Sequence, residues 1–150
     1  MKRLIKFLFV LSVFVYLVMT LYVYAFLPDN LLIISVFGSL DISNDAFFYW
    51  SNGLFVLLMG LSMLFTNMIS GVQPNEQSYF NADLKKDVVG WSSALRLVLS
   101  IFFTLSITFI GMSQNDEHFD ITNFAFLVYI GPVLFFIWIL SLFFLLLKNK

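Results

Sequence analysis

Four long apolar runs divide the chain, and they constrain its fold more than any other feature. They cover about residues 4–26, 46–69, 82–112 and 122–147, and the third run includes a polar extension at its start. About 20 apolar residues in a helix cross the hydrocarbon core of a bilayer, so each run is long enough to span it. With 61% hydrophobic and 11% charged residues, the chain is too apolar for a soluble domain of 150 residues. The sequence therefore predicts an all-α integral membrane bundle: one domain of four antiparallel transmembrane helices.

The positive charges predict the direction in which these helices cross the membrane. All eight Lys and Arg residues lie before or at the start of the first run, between the second and third runs or just inside the third, and after the fourth. The other two connections contain acidic residues and no Lys or Arg. Because Lys and Arg are retained on the cytoplasmic side, we expect both termini to be cytoplasmic.

The first run has a second interpretation as a signal peptide. Lys2 and Arg3 precede it, and Val23-Tyr24-Ala25 loosely fits a cleavage site. Its apolar length, however, exceeds the roughly 7–15 residues of a signal core and matches a full span. We therefore predict a retained transmembrane helix that ends at Pro28.

The third run carries a polar stripe along one helix face. The stripe consists of Ser92, Arg96, Ser100, Thr104 and Thr108, each four residues after the last. Positions four apart lie on the same face but drift by about 40° per step. We expect this stripe to face other helices rather than lipid. Its hydroxyls would make hydrogen bonds between helices or, alternatively, line a polar path.

Arg96 is the only formal charge embedded in a span, since Lys6 opens the first run and the other charges of the third run lie in its polar extension. Charges embedded in a span are functional candidates. Arg96 lies five residues after Trp91, which is about 7–8 Å along the helix. From that depth its side chain can extend to the headgroups or pair structurally. The alternative is a role in binding an anion, a lipid headgroup or a partner carboxylate.

Small residues in the second and fourth runs are candidates for helix packing. Gly53, Gly60 and Asn67 recur at intervals of seven, so they share one stripe of the second helix. Small residues let two membrane helices approach closely, and an amide can donate across the contact. Gly131 and Pro132 lie inside the fourth run, where we expect a kink.

The connections supply turn and capping signals. The apolar segment from Leu31 to Phe37 is too short to span, so we predict a short extended or interfacial piece, followed by a turn at Gly38-Ser39. Ser43, Asn44 or Asp45 can cap the second helix, and Asn81 can cap the third.

The last outer connection contains the chain's densest group of candidate metal ligands. These are Asp116, Glu117, His118 and Asp120. Carboxylates with one imidazole suit a hard or borderline divalent ion. The residues follow one another on a short loop without a second cluster, so a solvated acidic loop is the favoured interpretation, and we predict no metal site.

Several classes of function lack their sequence signatures. The chain has no cysteine, which excludes disulfides, thiolate metal sites and thiol nucleophiles. A net charge of −1 argues against nucleic acid as a partner. No zinc-protease, serine-hydrolase or phosphate-loop motif is present, and no histidine lies in a run to ligate haem. We expect neither an enzyme nor a cofactor. The alternative is a pocket lined by aromatic residues that binds quinone or lipid.

Directly after the first run come Leu27-Pro28-Asp29, then Gly38 and Asp41. This segment resembles the outer segment of small bacterial multi-span membrane proteins of the toxin-immunity and signalling type. The second Pro and the His of that pattern are missing, and the comparable positions lie within 31–36. The resemblance implies a small bacterial inner-membrane (plasma-membrane) protein that senses or protects, and it transfers no site residue.

These observations lead to three hypotheses about function. The first is a non-enzymatic interaction protein, either an accessory subunit of a larger membrane complex or a homo-oligomeric scaffold or effector. The second is a small oligomeric channel or transporter with a polar path along the third helix, which Arg96 would bias toward anions. The third is a membrane enzyme that binds lipid or quinone. The expected partners are membrane lipid and other membrane subunits or further copies of this chain.

Overall fold

The computed structural model describes residues 2–35, 38–74, 81–114 and 126–148. The chain forms α1 (Lys2–Phe26), a hairpin of β1 (Asn30–Ser35) and β2 (Gly38–Ser43), then α2 (Asn44–Gly71), α3 (Ala82–Ser113) and α4 (Phe126–Lys148). All four helices are long and apolar enough to cross a membrane. This confirms the predicted four-helix membrane bundle, although the predicted start of the last span, 122–125, lies outside the described residues. The cytoplasmic location of the termini stays a prediction.

Helix α3 is the centre of the bundle. It packs along α1, α2 and α4, whereas α1 and α2 contact each other only lightly and α4 packs mainly on α3. We call the end that holds the starts of α1 and α3 the basic end, and the opposite end the hairpin end. Helices α1 and α3 run parallel, and three contacts share one register: Phe9 with Arg96, Tyr16 with Phe103, and Val23 with Gly111.

An aromatic cluster forms the core where α1, α2 and α3 meet. The Tyr16 ring stacks on Phe55 with 3.9 Å between centroids, and it meets Phe103 edge-on at 6.2 Å. Tyr16 also donates from its hydroxyl to the Ser51 carbonyl of α2 at 3.3 Å. Along α1 and at the residue that follows it, the positions that face this core alternate in steps of three and four, the spacing of a left-handed helix seam. They are Val13, Tyr16, Thr20, Val23 and Leu27.

A tryptophan pair connects α4 with α3 through ring stacking and two hydrogen bonds. The indoles of Trp91 and Trp138 stack with 4.1 Å between centroids and 11° between planes. Each indole N–H donates to the other residue's backbone carbonyl, at 2.9 Å and 3.0 Å. Seven residues before Trp138, Gly131 is buried so tightly against the Phe102 ring that a Cβ there would overlap it. A Cβ at position 131 would therefore force the Phe102 ring to move, and glycine avoids that overlap.

Pro132 is exposed and lies inside α4, which is helical from Phe126 to Lys148. The kink that the Gly131-Pro132 pair predicts stays a prediction.

The segment between α1 and α2 is an antiparallel hairpin, not a single extended piece. Its register runs from Asn30 opposite Ser43 to Ser35 opposite Gly38. The predicted turn at Gly38-Ser39 is therefore wrong, because both residues pair within β2. The alternation of polar and apolar residues from Ser39 to Ser43 is the strand signal that indicates this pairing.

Both predicted helix caps are confirmed. The Ser43 hydroxyl accepts from the Ala46 N–H at the start of α2. The Asn81 side chain accepts from the Leu84 N–H at 2.8 Å at the start of α3. Such caps satisfy N–H groups that have no partner inside the helix, so short-range sequence suffices to predict them.

Candidate functional site

A cleft of about 490 Å³ lies between α1 and α3 at the basic end, and we call it the basic cleft. Lys6 from α1 and Arg96 from α3 contribute its two positive charges. Ile5, Phe9 and Val89 belong to its apolar wall. The parallel register of the two helices creates this pairing, because it places the first turns of α1 beside the third to fifth turns of α3.

Arg96 is half-buried, and its environment is unusual for a cation. Its guanidinium carbon lies 5.6 Å from the centroid of the Phe9 ring, which is within the range of a cation–π contact. Its Nε is buried and has no hydrogen-bond partner among the described residues. A buried donor without an acceptor costs about 1–3 kcal/mol, and more when it is charged. The Nε itself is closed to a ligand, but Arg96 makes no ion pair within the described part of the chain, so its charge is what the cleft offers to an anion.

The charges that line the basic cleft are all positive. Among the described lining residues none is acidic, and Arg96 makes no ion pair with the described part of the chain. Low-dielectric walls around charges of one sign raise the local concentration of the opposite ion. In chemical terms this arrangement is suited to binding an anion, not to acid–base or nucleophilic catalysis.

The five residues of the predicted polar stripe of α3 do not face one common environment. Four steps of about 40° turn the stripe by roughly 160° from its first member to its last. Ser92 and Ser100 are fully buried, and Arg96 lines the basic cleft. Thr104 and Thr108 line two further grooves on the surface of α3. The five residues thus face several environments, although burial confirms that Ser92 and Ser100 face protein.

Three of the stripe's four hydroxyls donate within their own helix, and the buried Ser100 Oγ has no partner among the described residues. Ser92 donates to the Val89 carbonyl at 3.1 Å, Thr104 to the Ser100 carbonyl at 2.8 Å, and Thr108 to the Thr104 carbonyl at 2.8 Å. The predicted hydrogen bonds between helices are therefore wrong for these three residues. A carbonyl three or four residues earlier lies within reach of any helical Ser or Thr, so it satisfies the hydroxyl locally.

The α2 stripe of Gly53, Gly60 and Asn67 lies on the outside of the bundle. All three residues are exposed, and a Cβ added at either glycine would meet nothing within 4 Å. The face of α2 that does pack carries Phe55, Ser62 and Thr66, at roughly 130° around the helix. The stripe does not pack inside the chain as predicted, because the aromatic cluster holds the other face. Packing against another protein stays a prediction.

The sequence interpretation missed two groups of residues, and only the second group had a spacing that could have revealed it. Lys6 and Phe9 become site residues only through the register of α1 beside α3. Ser62 and Thr66 are buried on α2, and Thr66 donates to the Ser62 carbonyl at 2.9 Å. With Phe55 and Met59 they form a second seam with steps of four and three, which was the available signal.

No cluster of three or more His, Cys, Asp or Glu side chains that could hold a metal occurs in the described ranges. The acidic group with His118 lies at 116–120, outside the described residues. The toxin-immunity and signalling resemblance also stays a prediction. No protein-family model, no curated protein and no solved structure matches the chain.

Proposed function

We propose that this chain is a non-enzymatic integral membrane protein that works through contacts with other membrane proteins, as an accessory subunit or as a homo-oligomeric scaffold. The supporting observation is the exposed face of α2 that carries Gly53, Gly60 and Asn67, which we call the glycine face. It extends over two heptads, or about 21 Å along the helix. That is a large part of a hydrocarbon core roughly 30 Å thick.

The shape of the glycine face suits a partner helix. Leu57 and Leu64 are exposed on one side of the glycines, and Val56 and Met63 are exposed on the other. Two ridges of side chains therefore border a strip where the α2 backbone is open. Close approach of backbones, not apolar area, drives association in lipid, because lipid is as apolar as leucine. The heptad spacing favours a partner that crosses at about +20°.

The hairpin is a second supporting feature, because it has only two strands. In a two-stranded sheet each strand has one edge with unpaired N–H and C=O groups, and β1 and β2 pair only with each other among the described strands. Free strand edges are sites where another chain can add a strand. The protein thus offers one contact surface within the membrane and one at its hairpin end.

The channel alternative gains no support from the described residues. The hydroxyls of Thr104 and Thr108 donate to backbone carbonyls of their own helix. The groove at Thr104 is bordered by apolar residues such as Leu8 and Ile101. The predicted polar path along α3 would need these groups to face one continuous space.

Native mass measurement in a mild detergent tests the proposal. We expect the wild-type chain to be an oligomer or to copurify with another membrane protein. Gly60→Leu should weaken that association, because it fills the strip with a side chain, while the open space at position 60 lets the monomer fold. The matched control is Leu54→Phe, which adds bulk to another exposed part of α2. A strict monomer that copurifies with nothing, or equal loss in both variants, contradicts the proposal.

A further inference from the structure

We propose that the basic cleft binds the phosphate of an acidic phospholipid. This inference is independent of the protein contacts proposed above, since it concerns α1 and α3 and not the glycine face. It is based on the cleft's size, its two cations, its apolar walls and its position along the spans.

The cleft has the size and the donors that such a headgroup needs. Its volume of about 490 Å³ falls within the roughly 300–1,000 Å³ of small-molecule sites. A guanidinium presents a planar fork of donors that matches phosphate, and an ammonium adds a compact point charge. Arg96 supplies the first and Lys6 the second, one from each wall. No ion pair within the described ranges neutralises the Arg96 guanidinium.

Contact with Phe9 positions Arg96 without neutralising it. The guanidinium carbon lies over the ring, 5.6 Å from its centroid. A cation–π contact attracts the charge without cancelling it, because the ring carries no net charge. The full positive charge is therefore available to a ligand.

Acidic side chains of α3 do not compete for the site. Asp87 lies nine residues before Arg96, which places it on the opposite side of the helix at 100° per residue. There it approaches Lys148 of α4, with 3.5 Å between the charged atoms. The positive charge in the cleft is thus separated from the negative charge on the same helix.

The walls and the depth of the cleft favour a lipid over a free anion. Ile5, Phe9 and Val10 line the α1 side, and they lie in the first turns of a candidate span that begins at Leu4. A headgroup held by Lys6 and Arg96 would therefore sit at the membrane edge, with its acyl chains along the exposed apolar surface of α1. Basic pockets between transmembrane helices are known binding sites for anionic headgroups.

Lipid retention in native mass spectra tests the proposal. The full chain is purified in a neutral detergent and mixed with equal amounts of phosphatidylglycerol and phosphatidylcholine that carry the same acyl chains. We expect wild type to retain phosphatidylglycerol preferentially. Lys6→Gln and Arg96→Gln should each reduce that preference roughly fivefold, the equivalent of about 1 kcal/mol for one surface cation. Lys86→Gln, which removes an exposed cation from the same end outside the cleft, should leave it unchanged.

Each other outcome overturns the proposal. If wild type, Lys6→Gln and Arg96→Gln retain phosphatidylglycerol equally, the cleft is not its binding site. If Lys86→Gln loses the preference to the same extent, the effect comes from the overall charge of the basic end. Displacement of the lipid by the same concentration of glycerol phosphate identifies a free phosphate anion as the ligand. A change of oligomeric mass in Arg96→Gln with unchanged lipid retention assigns Arg96 to a partner carboxylate. Lys6 lies at the exposed start of α1, so Lys6→Gln remains informative even if Arg96→Gln disturbs folding.

Discussion

The contact between Trp91 and Trp138 predicts a measurable contribution of this indole pair to the packing of α4 on α3. Trp138→Leu removes one ring of the stack and the N–H that donates to the Trp91 carbonyl at 3.0 Å. The Trp91 N–H can still reach the backbone carbonyl of residue 138 in that variant, because this acceptor does not depend on the side chain.

The expected decrease in the free energy of unfolding follows from the loss of the hydrogen bond and of the ring contact. A hydrogen bond between membrane helices contributes about 0.6 kcal/mol on average and at most about 1.7. A stacked aromatic pair adds about 0.5–1.5 kcal/mol. Trp138→Leu should therefore lower the free energy of unfolding by about 1–3 kcal/mol. Trp138→Phe keeps a ring to stack and loses only the hydrogen bond, so it should cost about 0.6 kcal/mol.

The assay is unfolding by a denaturing detergent, followed by far-UV circular dichroism in micelles. Trp50→Leu is the matched control, because the Trp50 side chain is 77% exposed and a surface substitution of this kind should stay within about 0.5 kcal/mol. The stacked indoles should also give an exciton couplet in the dichroism spectrum that both Trp138 variants lose and Trp50→Leu keeps. If Trp138→Leu were no more destabilising than Trp50→Leu, the reasoning about this contact would be refuted.

Three further predictions concern packing, capping and topology. Gly131→Leu should lower the free energy of unfolding by about 1–3 kcal/mol in the same titration, because its side chain overlaps Phe102; an unchanged midpoint contradicts this. Ser43→Ala should cost about 0.5–2 kcal/mol by thermal melting, through loss of the α2 cap, and Ser43→Asp should restore it. In this cysteine-free chain, Asp29→Cys should react with an impermeant maleimide in intact cells and Lys86→Cys only after lysis; the reverse pattern inverts the topology.

The helices and their caps could be predicted because the physics behind them is local. A segment in lipid must satisfy every backbone N–H and C=O within itself, so a long apolar run such as 4–26 has few alternatives to a helix. Ser43 and Asn81 act on N–H groups three residues ahead of them. The hairpin was harder to predict, since the pairing of Ser35 with Gly38 depends on a register that apolar content alone does not specify.

The inward and outward faces of the helices could not be predicted from hydrophobicity. In water an apolar stripe marks the buried side, but in a membrane both the interior and the surroundings are apolar. Gly53 and Gly60 have the composition of a packing face, yet the structure exposes them. Tyr16 is fully buried, although a tyrosine in a span is commonly placed at the membrane interface.

The sequence by itself determined the class of the protein, its four spans, its caps and its charge asymmetry, because each depends on the composition or spacing of neighbouring residues. The tertiary structure decided what Arg96 faces. Its helix drifts about 40° with every four residues, so the five polar residues of α3 that share a stripe in sequence separate into buried, cleft-lining and groove-lining positions. Lys6 and Phe9 meet Arg96 only because α1 packs parallel to α3, and that packing is a property of the whole bundle.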